Sequence, residues 1–378
     1  MASSIASTDS SYTPSSHTPS PNGSLPPSPS SQLEQLDFAR NSLSQIVKED
    51  AVDPIIDACQ RVFETSIKDF SLITGGRGTS KILKVTLDGG KEYVCRVTDS
   101  ARSTFYIDTE SEIKIMRHIN DLGVAPKLHH ADPESCVILM DSIANQRLTP
   151  DHFKGEKLYS QLATALRNLH TGPLMQNEVT DIFKDLEATF KEGKFEHMPP
   201  AVLQALEKIR PLQEVLKKHQ TVALCHKDLH SNNALYDGEN LYLIDWELAA
   251  NCDPFVDLAF ATMFFTFDKD KEDLFLKNYF KADPTPNQRA HFFLMKQVVL
   301  CVYACRLLRK VTANFDISKD PIPSSLPNYK DFVLENYNGC DRSFTPADLK
   351  TFAYMFLREL TQNLATNAFA ESVQELSK

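Results

Sequence analysis

Hydrophobic spacing changes character along the 378-residue chain. Between Gln32 and about Phe63, Leu33, Leu36, Ile46, Ile55, Ile56 and Val62 recur at helical intervals, and Asp53-Pro54 predicts a cap and first turn. From Asp69 the runs become short and β-rich. DFSLITGG, KILKVTL and KEYVCRVTD predict three antiparallel strands, with Asp88-Gly89-Gly90 turning the last pair and Gly75, Gly76 and Gly78 in the loop of the first. TESEIKIMRHINDLG predicts a helix ended by Gly123 and Pro126, and CVILMDSI a strand running into a polar connection near Asn145. Beyond residue 155 helical periodicity dominates: Leu158, Leu162, Leu166 and Leu169 share one stripe, and 201–218, 254–267, 286–310 and 346–376 predict further helices. A small sheet-rich lobe thus precedes a larger helical one, and a cleft between lobes is a favoured ligand site.

One stretch breaks the helical pattern. In CHKDLHSNNALYDGENLYLIDWE, Cys225 to Glu247, polar residues crowd between two apolar runs. TVALC reads as a strand entering a polar loop; ALY and LYLI then flank Asp237-Gly238-Glu239-Asn240, a compact hairpin turn. If those four residues form the loop, Tyr236 pairs with Leu241, Asn233 falls opposite Ile244, and Asp245 comes beside Asn233. Asp228 lies on the loop entering the hairpin. Two carboxylates and an amide oxygen therefore converge, hard oxygen ligands suited to Mg²⁺. His226 and His230 lie on a loop and lack the Glu of a His-Glu-x-x-His zinc motif, so His226 is read as supporting the loop through a hydrogen bond.

Composition narrows the classes. A net charge of −10 argues against nucleic acid, whose phosphates require a basic excess. The eight cysteines include no Cys-x-x-Cys pair, which fits reduced core thiols. No apolar run approaches the ~18 residues of a membrane span, and the first basic residue is Arg40, so a cytoplasmic location is expected. Residues 1–31, mostly Ser, Thr and Pro, lack the apolar area to offset ordering entropy and read as a disordered tail carrying Ser-Pro and Thr-Pro dipeptides.

The order His226-x-Asp228-x₄-Asn233, then an apolar strand ending in Asp245, resembles kinase active sites. With IDWE at 244–247 and DPFVDLA at 253–259, the chain resembles the kinase-like small-molecule phosphotransferases, above all their choline/ethanolamine and thiamine kinase branch, with aminoglycoside phosphotransferases as further relatives. The resemblance implies a two-lobed α+β kinase-like fold that uses ATP and Mg²⁺. It divides the chain into a tail (1–31), a helical extension (32–69), an N-lobe (70–145) and a helical C-lobe (146–378). ITGGRGTSKILKV, with Gly75, Gly76 and Gly78, is similar to the family's phosphate loop. Arg96 stands where a strand cation meets the phosphates, and Glu112 where the next helix carries its partner. ILMDSI resembles the interlobe hinge, implying adenine contacts from the backbone of Asp141 and Ile143. Asp228 carries over as catalytic base, Asn233 and Asp245 as Mg²⁺ ligands, and Asp257 as a brace for the catalytic loop.

The expected reaction transfers the γ-phosphoryl group of ATP to a hydroxyl of a small molecule. A carboxylate at Glu247 and an aromatic face at Tyr303 point to an amino alcohol, because a cation is attracted to a ring face. On the late helix, where choline kinases show two Trp three residues apart, this chain has Leu300 and Tyr303, and its only tryptophan is Trp246. An aminoglycoside or sugar kinase is an alternative. A nucleotide-binding pseudokinase serving as an interaction module is another, opposed by the complete catalytic set.

Overall fold

The computed structural model describes residues 29–63, 67–73, 80–98, 109–143, 148, 150–192, 194–336 and 344–378. Two helices come first, α1 (Pro29–Ser44) and α2 (Glu49–Val62). Strands β1 (Ile67–Leu72), β2 (Lys81–Leu87) and β3 (Glu92–Val97), helix α3 (Thr109–Ile119), and strands β4 (Leu128–Asp132) and β5 (Val137–Asp141) complete the N-terminal part. The sheet runs β1-β2-β3-β5-β4 with antiparallel neighbours throughout. The three antiparallel strands expected from the sequence are present as β1, β2 and β3, and the strand expected in CVILMDSI is β5; β4, a half-buried edge strand, is additional.

Alternation along the strands separates two faces of this sheet. Leu83, Val85, Tyr93, Cys95, Val97 and Leu139 pack against Leu43, Ile55, Ile56 and Cys59, so α1 and α2 cover one face. The other face carries Ile138, which joins Ile113 and Met116 of α3, and the half-buried Arg96. Lys81 donates to the carbonyl of Ile46 just past α1, tying the extension to the start of β2.

Two boundaries differ from the expectation. Pro29 to Ser31, the end of the segment read as a tail, already belong to α1; residues 1–28 lie outside the described residues. Pro54 does not open a helix but lies inside α2. The stripe Val52, Ile55, Ile56, Cys59 continues across it, and burial of that stripe outweighs the one hydrogen bond proline cannot make.

The remainder is mostly helical: α4 (Lys157–Thr171), α5 (Ile182–Glu192), α6 (Pro200–Ile209) and α7 (Leu212–Lys217) lead to β6 (Ala223–Cys225), β7 (Ala234–Tyr236), β8 (Leu241–Leu243) and β9 (Ala250–Cys252). Then follow α8 (Phe255–Phe265), α9 (Lys269–Phe280), α10 (Pro286–Thr312), α11 (Tyr329–Asn336), α12 (Pro346–Asn363) and α13 (Asn367–Leu376). The helix expected over 201–218 is broken at Pro211, and that over 346–376 is broken after Asn363. Every residue of α8 is buried, so it forms the centre of the larger lobe. Helix α10 is long and apolar enough to cross a membrane, but 83% of its most apolar stretch is buried inside the fold, as befits a core helix. The small-sheet lobe and helical lobe meet where Leu243 N–H donates to the Val124 carbonyl at 2.7 Å.

Candidate active site

The hairpin forms in the register its turn predicts: Ala234 pairs with Leu243, Leu235 with Tyr242, and Tyr236 with Leu241. Asp237 Oδ1 accepts the N–H groups of Glu239 at 2.8 Å and Asn240 at 2.7 Å, while Gly238 takes the positive φ (101°) that closes the turn. At the other end Ile244 N–H donates to Asn233 O at 3.0 Å, which brings Asp245 alongside Asn233. Asn233 is buried, and its Nδ2 donates to the Asp228 carbonyl at 3.0 Å and to Asp228 Oδ2 at 3.4 Å. The amide's Oδ1 is thereby left as the end available to a ligand.

The loop carrying Asp228 is braced from behind. Asp257 lies in the first turn of α8 with no exposure, and a buried carboxylate needs partners. It accepts the backbone N–H of His226 at 2.7 Å, that of Lys227 at 2.8 Å, and His170 Nε2–H at 3.1 Å. Burial opposes its charge, yet His170, His226 and these hydrogen bonds outweigh that and hold the carboxyl below its ordinary range. His226 Nδ1 accepts Asp228 N–H at 3.3 Å, so its Nε2–H donates to the Ile244 carbonyl at 2.9 Å, joining loop to hairpin. Its ring lies 4.7 Å from that of the buried Trp246. The support role expected of His226 is thus a pair of hydrogen bonds.

The cleft side is electrostatically opposite. Asp245 has a left-handed backbone, φ 68°, and among the described residues it makes no brace of this kind. Burial, then the charges of Asp228 and Glu112, push its carboxyl up to about 6 against the pull of Arg96. Glu247 sits on the exposed turn beyond. Partial burial, then Asp245, Glu112 and Asp228, raise it to about 7, a rise that solvent screening works against. Arg96 and Glu112 form the expected ion pair between β3 and α3, with side chains 16% and 2% exposed. Glu112, Asp245 and Glu247 therefore gather around one guanidinium, with Asp228 adding its charge to Asp245 and Glu247. Such a surplus, built from oxygen donors at Asp245 and Asn233, fits a hard divalent cation such as Mg²⁺.

Other expected positions fall as follows. Gly75, Gly76 and Gly78 lie outside the described residues. Asp141 ends β5; its N–H donates to Lys127 O at 2.9 Å and its carboxylate meets His129 Nε2 at 2.7 Å, while Ile143 is half-buried just beyond. Tyr303 is only 7% exposed and packs edge-on to Phe264 and Phe356, with ring centroids 5.3 and 5.4 Å away. It is first of all a core ring, since α10 is buried on this side. Its connection to the cleft runs through Phe264 to His230, whose ring is 5.9 Å from Phe264 and whose Nε2 is 3.6 Å from Asp228 Oδ2. His170, Lys227 and Asp185 join this network without a sequence motif of their own; the one signal for them is a lysine placed directly before Asp228. His170, Cys225 and Asp257 also stand close enough to share a metal ion, but Asp257 is already committed to the loop.

The model of the phosphotransferase enzyme family matches residues 69–292. The chain belongs to this family. The match spans the sheet, the hairpin and most of the bracing set. Among curated proteins, LicA of Haemophilus influenzae is 24% identical over 219 residues, 56% of this chain. The chain spans only 62% of that relative's length. Among solved structures, a choline/ethanolamine kinase family protein of Mesorhizobium loti superposes with a TM-score of 0.63 at 19% identity, covering 81% of this chain and 92% of that one. Choline kinase from Cryptosporidium parvum Iowa II gives 0.62 at 15% identity, covering 86% and 99%. At these identities the likeness establishes the two-lobed kinase-like fold of this phosphotransferase family member.

Proposed function

We infer that this chain transfers the γ-phosphoryl group of ATP to the hydroxyl of a small amino alcohol. The observation carrying this reading is the convergence of Asp228, Asn233 and Asp245 at one end of a hairpin, with the loop behind them fully braced. Asp228 Oδ2 is engaged by Asn233, which leaves Oδ1 to orient an acceptor hydroxyl and take its proton. As that proton leaves, the hydroxyl oxygen bonds to the γ-phosphorus, the bond to the bridging oxygen breaks, and ADP departs. Mg²⁺, when held by Asn233 and Asp245, supplies charge neutralisation on the phosphates. Arg96, half-buried and paired with Glu112, offers a further fixed positive charge on the cleft face, and the Asp141 and Ile143 backbone is the adenine-facing hinge. The phosphate loop is assigned to Gly75, Gly76 and Gly78. Catalysis on this plan is positioning plus electrostatics, with no covalent enzyme intermediate.

The acidic cleft supports a cationic acceptor. Glu247 stands at its mouth, and His230, Phe264 and Tyr303 form an aromatic chain leading away from Asp228. An ATP-consumption screen over choline, ethanolamine, thiamine, aminoglycosides and neutral sugars tests both levels of the reading. Turnover with an amine-bearing alcohol, reduced about 10²–10⁴-fold by Asp228→Asn, is the expected result. Turnover with neutral sugars alone would remove the amino-alcohol assignment. Absence of turnover with every acceptor would favour an interaction module that only binds nucleotide.

A further inference from the structure

Lys227, between His226 and Asp228, combines two unfavourable states. Its backbone is left-handed, φ 64°, a conformation that brings Cβ too close to the following carbonyl oxygen. Its side chain is only 7% exposed, although lysine is seldom buried unless paired. Specific partners meet both demands. The N–H is held by Asp257, while Nζ lies 3.0 Å from Asp185 Oδ2 and 3.4 Å from Thr180 Oγ1. Asp185 belongs to α5, and the same Oδ2 lies 3.3 Å from Arg306 Nη2 on α10. Thr180 is fixed in turn, donating its N–H to Asn251 O at 2.8 Å. A lysine kept only for solubility would extend to water. This one turns inward and joins the loop to α5 and, through Asp185, to Arg306 of α10.

The geometry points to Lys227 as a positioning residue for Asp228: its ammonium, paired with Asp185, which Arg306 holds in turn, fixes the left-handed turn that presents the carboxylate to the acceptor. The inference rests on the role of Asp228 proposed above. A stabilising ion pair with no bearing on catalysis is the alternative, and the two differ in what they predict. Glycine adopts the left-handed turn without strain but provides no clamp.

The full-length protein and its Lys227→Met, Lys227→Gly and Lys227→Arg variants would be compared in steady-state phosphotransfer from MgATP to ethanolamine. Backbone hydrogen exchange over 225–233 would be followed in parallel without ligands. Misplacing a reacting group by about 1 Å costs about 10²-fold. The Met and Gly variants should therefore lose about 10–100-fold in kcat with KM for ATP changed less than about twofold, and exchange at His226 and Lys227 should quicken. Arg should recover most of the loss. A Met variant that melts lower but keeps kcat within about twofold would overturn the proposal. If the unaltered protein does not phosphorylate ethanolamine, the acceptor reading fails separately. The exchange arm then decides the clamp, because unchanged protection in Lys227→Met sinks it.

Discussion

Asp245 and Asp257 flank the same loop, and the fold treats them in opposite ways. Asp257 is fully buried, accepts three hydrogen bonds, and is held below the ordinary carboxyl range by them despite its burial. Asp245 is mostly enclosed as well, yet burial and the neighbouring Asp228 and Glu112 push it up to about 6. The first is a carboxylate whose needs the protein satisfies. The second is left short of positive charge, as expected of a group that completes its surroundings with a ligand. Burial alone therefore does not set which way a carboxyl is shifted; its partners do.

Substitution at each aspartate would break this contrast, and the largest stability effect is expected at the brace. Asp257→Asn keeps the shape but presents an N–H₂ group to donors that need an acceptor. It should lower unfolding free energy by about 3 kcal/mol at pH 7, measured by urea denaturation. A loss below about 1 kcal/mol would mean that the loop holds itself.

A smaller effect of opposite sign is expected at the cleft. Asp245→Asn should stabilise the metal-free, nucleotide-free protein at pH 7 by about 1–3 kcal/mol, because it removes a charge the fold disfavours. The same variant should lose turnover and Mg²⁺-dependent stabilisation by nucleotide. Unchanged or reduced stability would place the compensation for Asp245 within the protein.

The smallest effect is a dependence on pH. Asp245 has a raised carboxyl, so the folded state binds its proton more tightly than the unfolded state. Its contribution to stability is present below the ordinary value of 3.8 and is lost as pH rises through about 6. Asp257, being depressed, contributes above 3.8 and loses that contribution only as pH falls below it. Between these limits the unliganded protein should weaken with rising pH, and Asp245→Asn should flatten that slope in a urea-midpoint series.

Local chemistry made some of this architecture legible in the sequence. Asp237-Gly238 sets a turn, the turn sets the register, and the register brings Asn233 to Asp245; each step depends on neighbours in the chain. Strands β1, β2 and β3 of the N-terminal sheet were equally readable from alternation and an Asp-Gly-Gly turn. Pro54 misled because a strong local signal was outweighed by a buried stripe on α2. Helix α9 went unread because its charged run Lys269 to Asp273 has little apolar periodicity; its start is set instead by Asp268, which accepts Lys271 N–H at 2.9 Å. The clamp on Lys227 was not legible, since Asp185 is supplied by α5 through tertiary packing and is itself held by Arg306 of α10.

The fold-back of residues 234–243 acts as a caliper. Asn233 and Asp245 are its two points, and the turn at 237–240 is its pivot at the far end. Lengthening the pivot would leave the points where they are, whereas adding one residue to a single arm would rotate one point to the opposite face. Across descendants of this chain, the count of positions separating the two residues is therefore free to drift through the turn. What selection must keep is the matched length of the two arms.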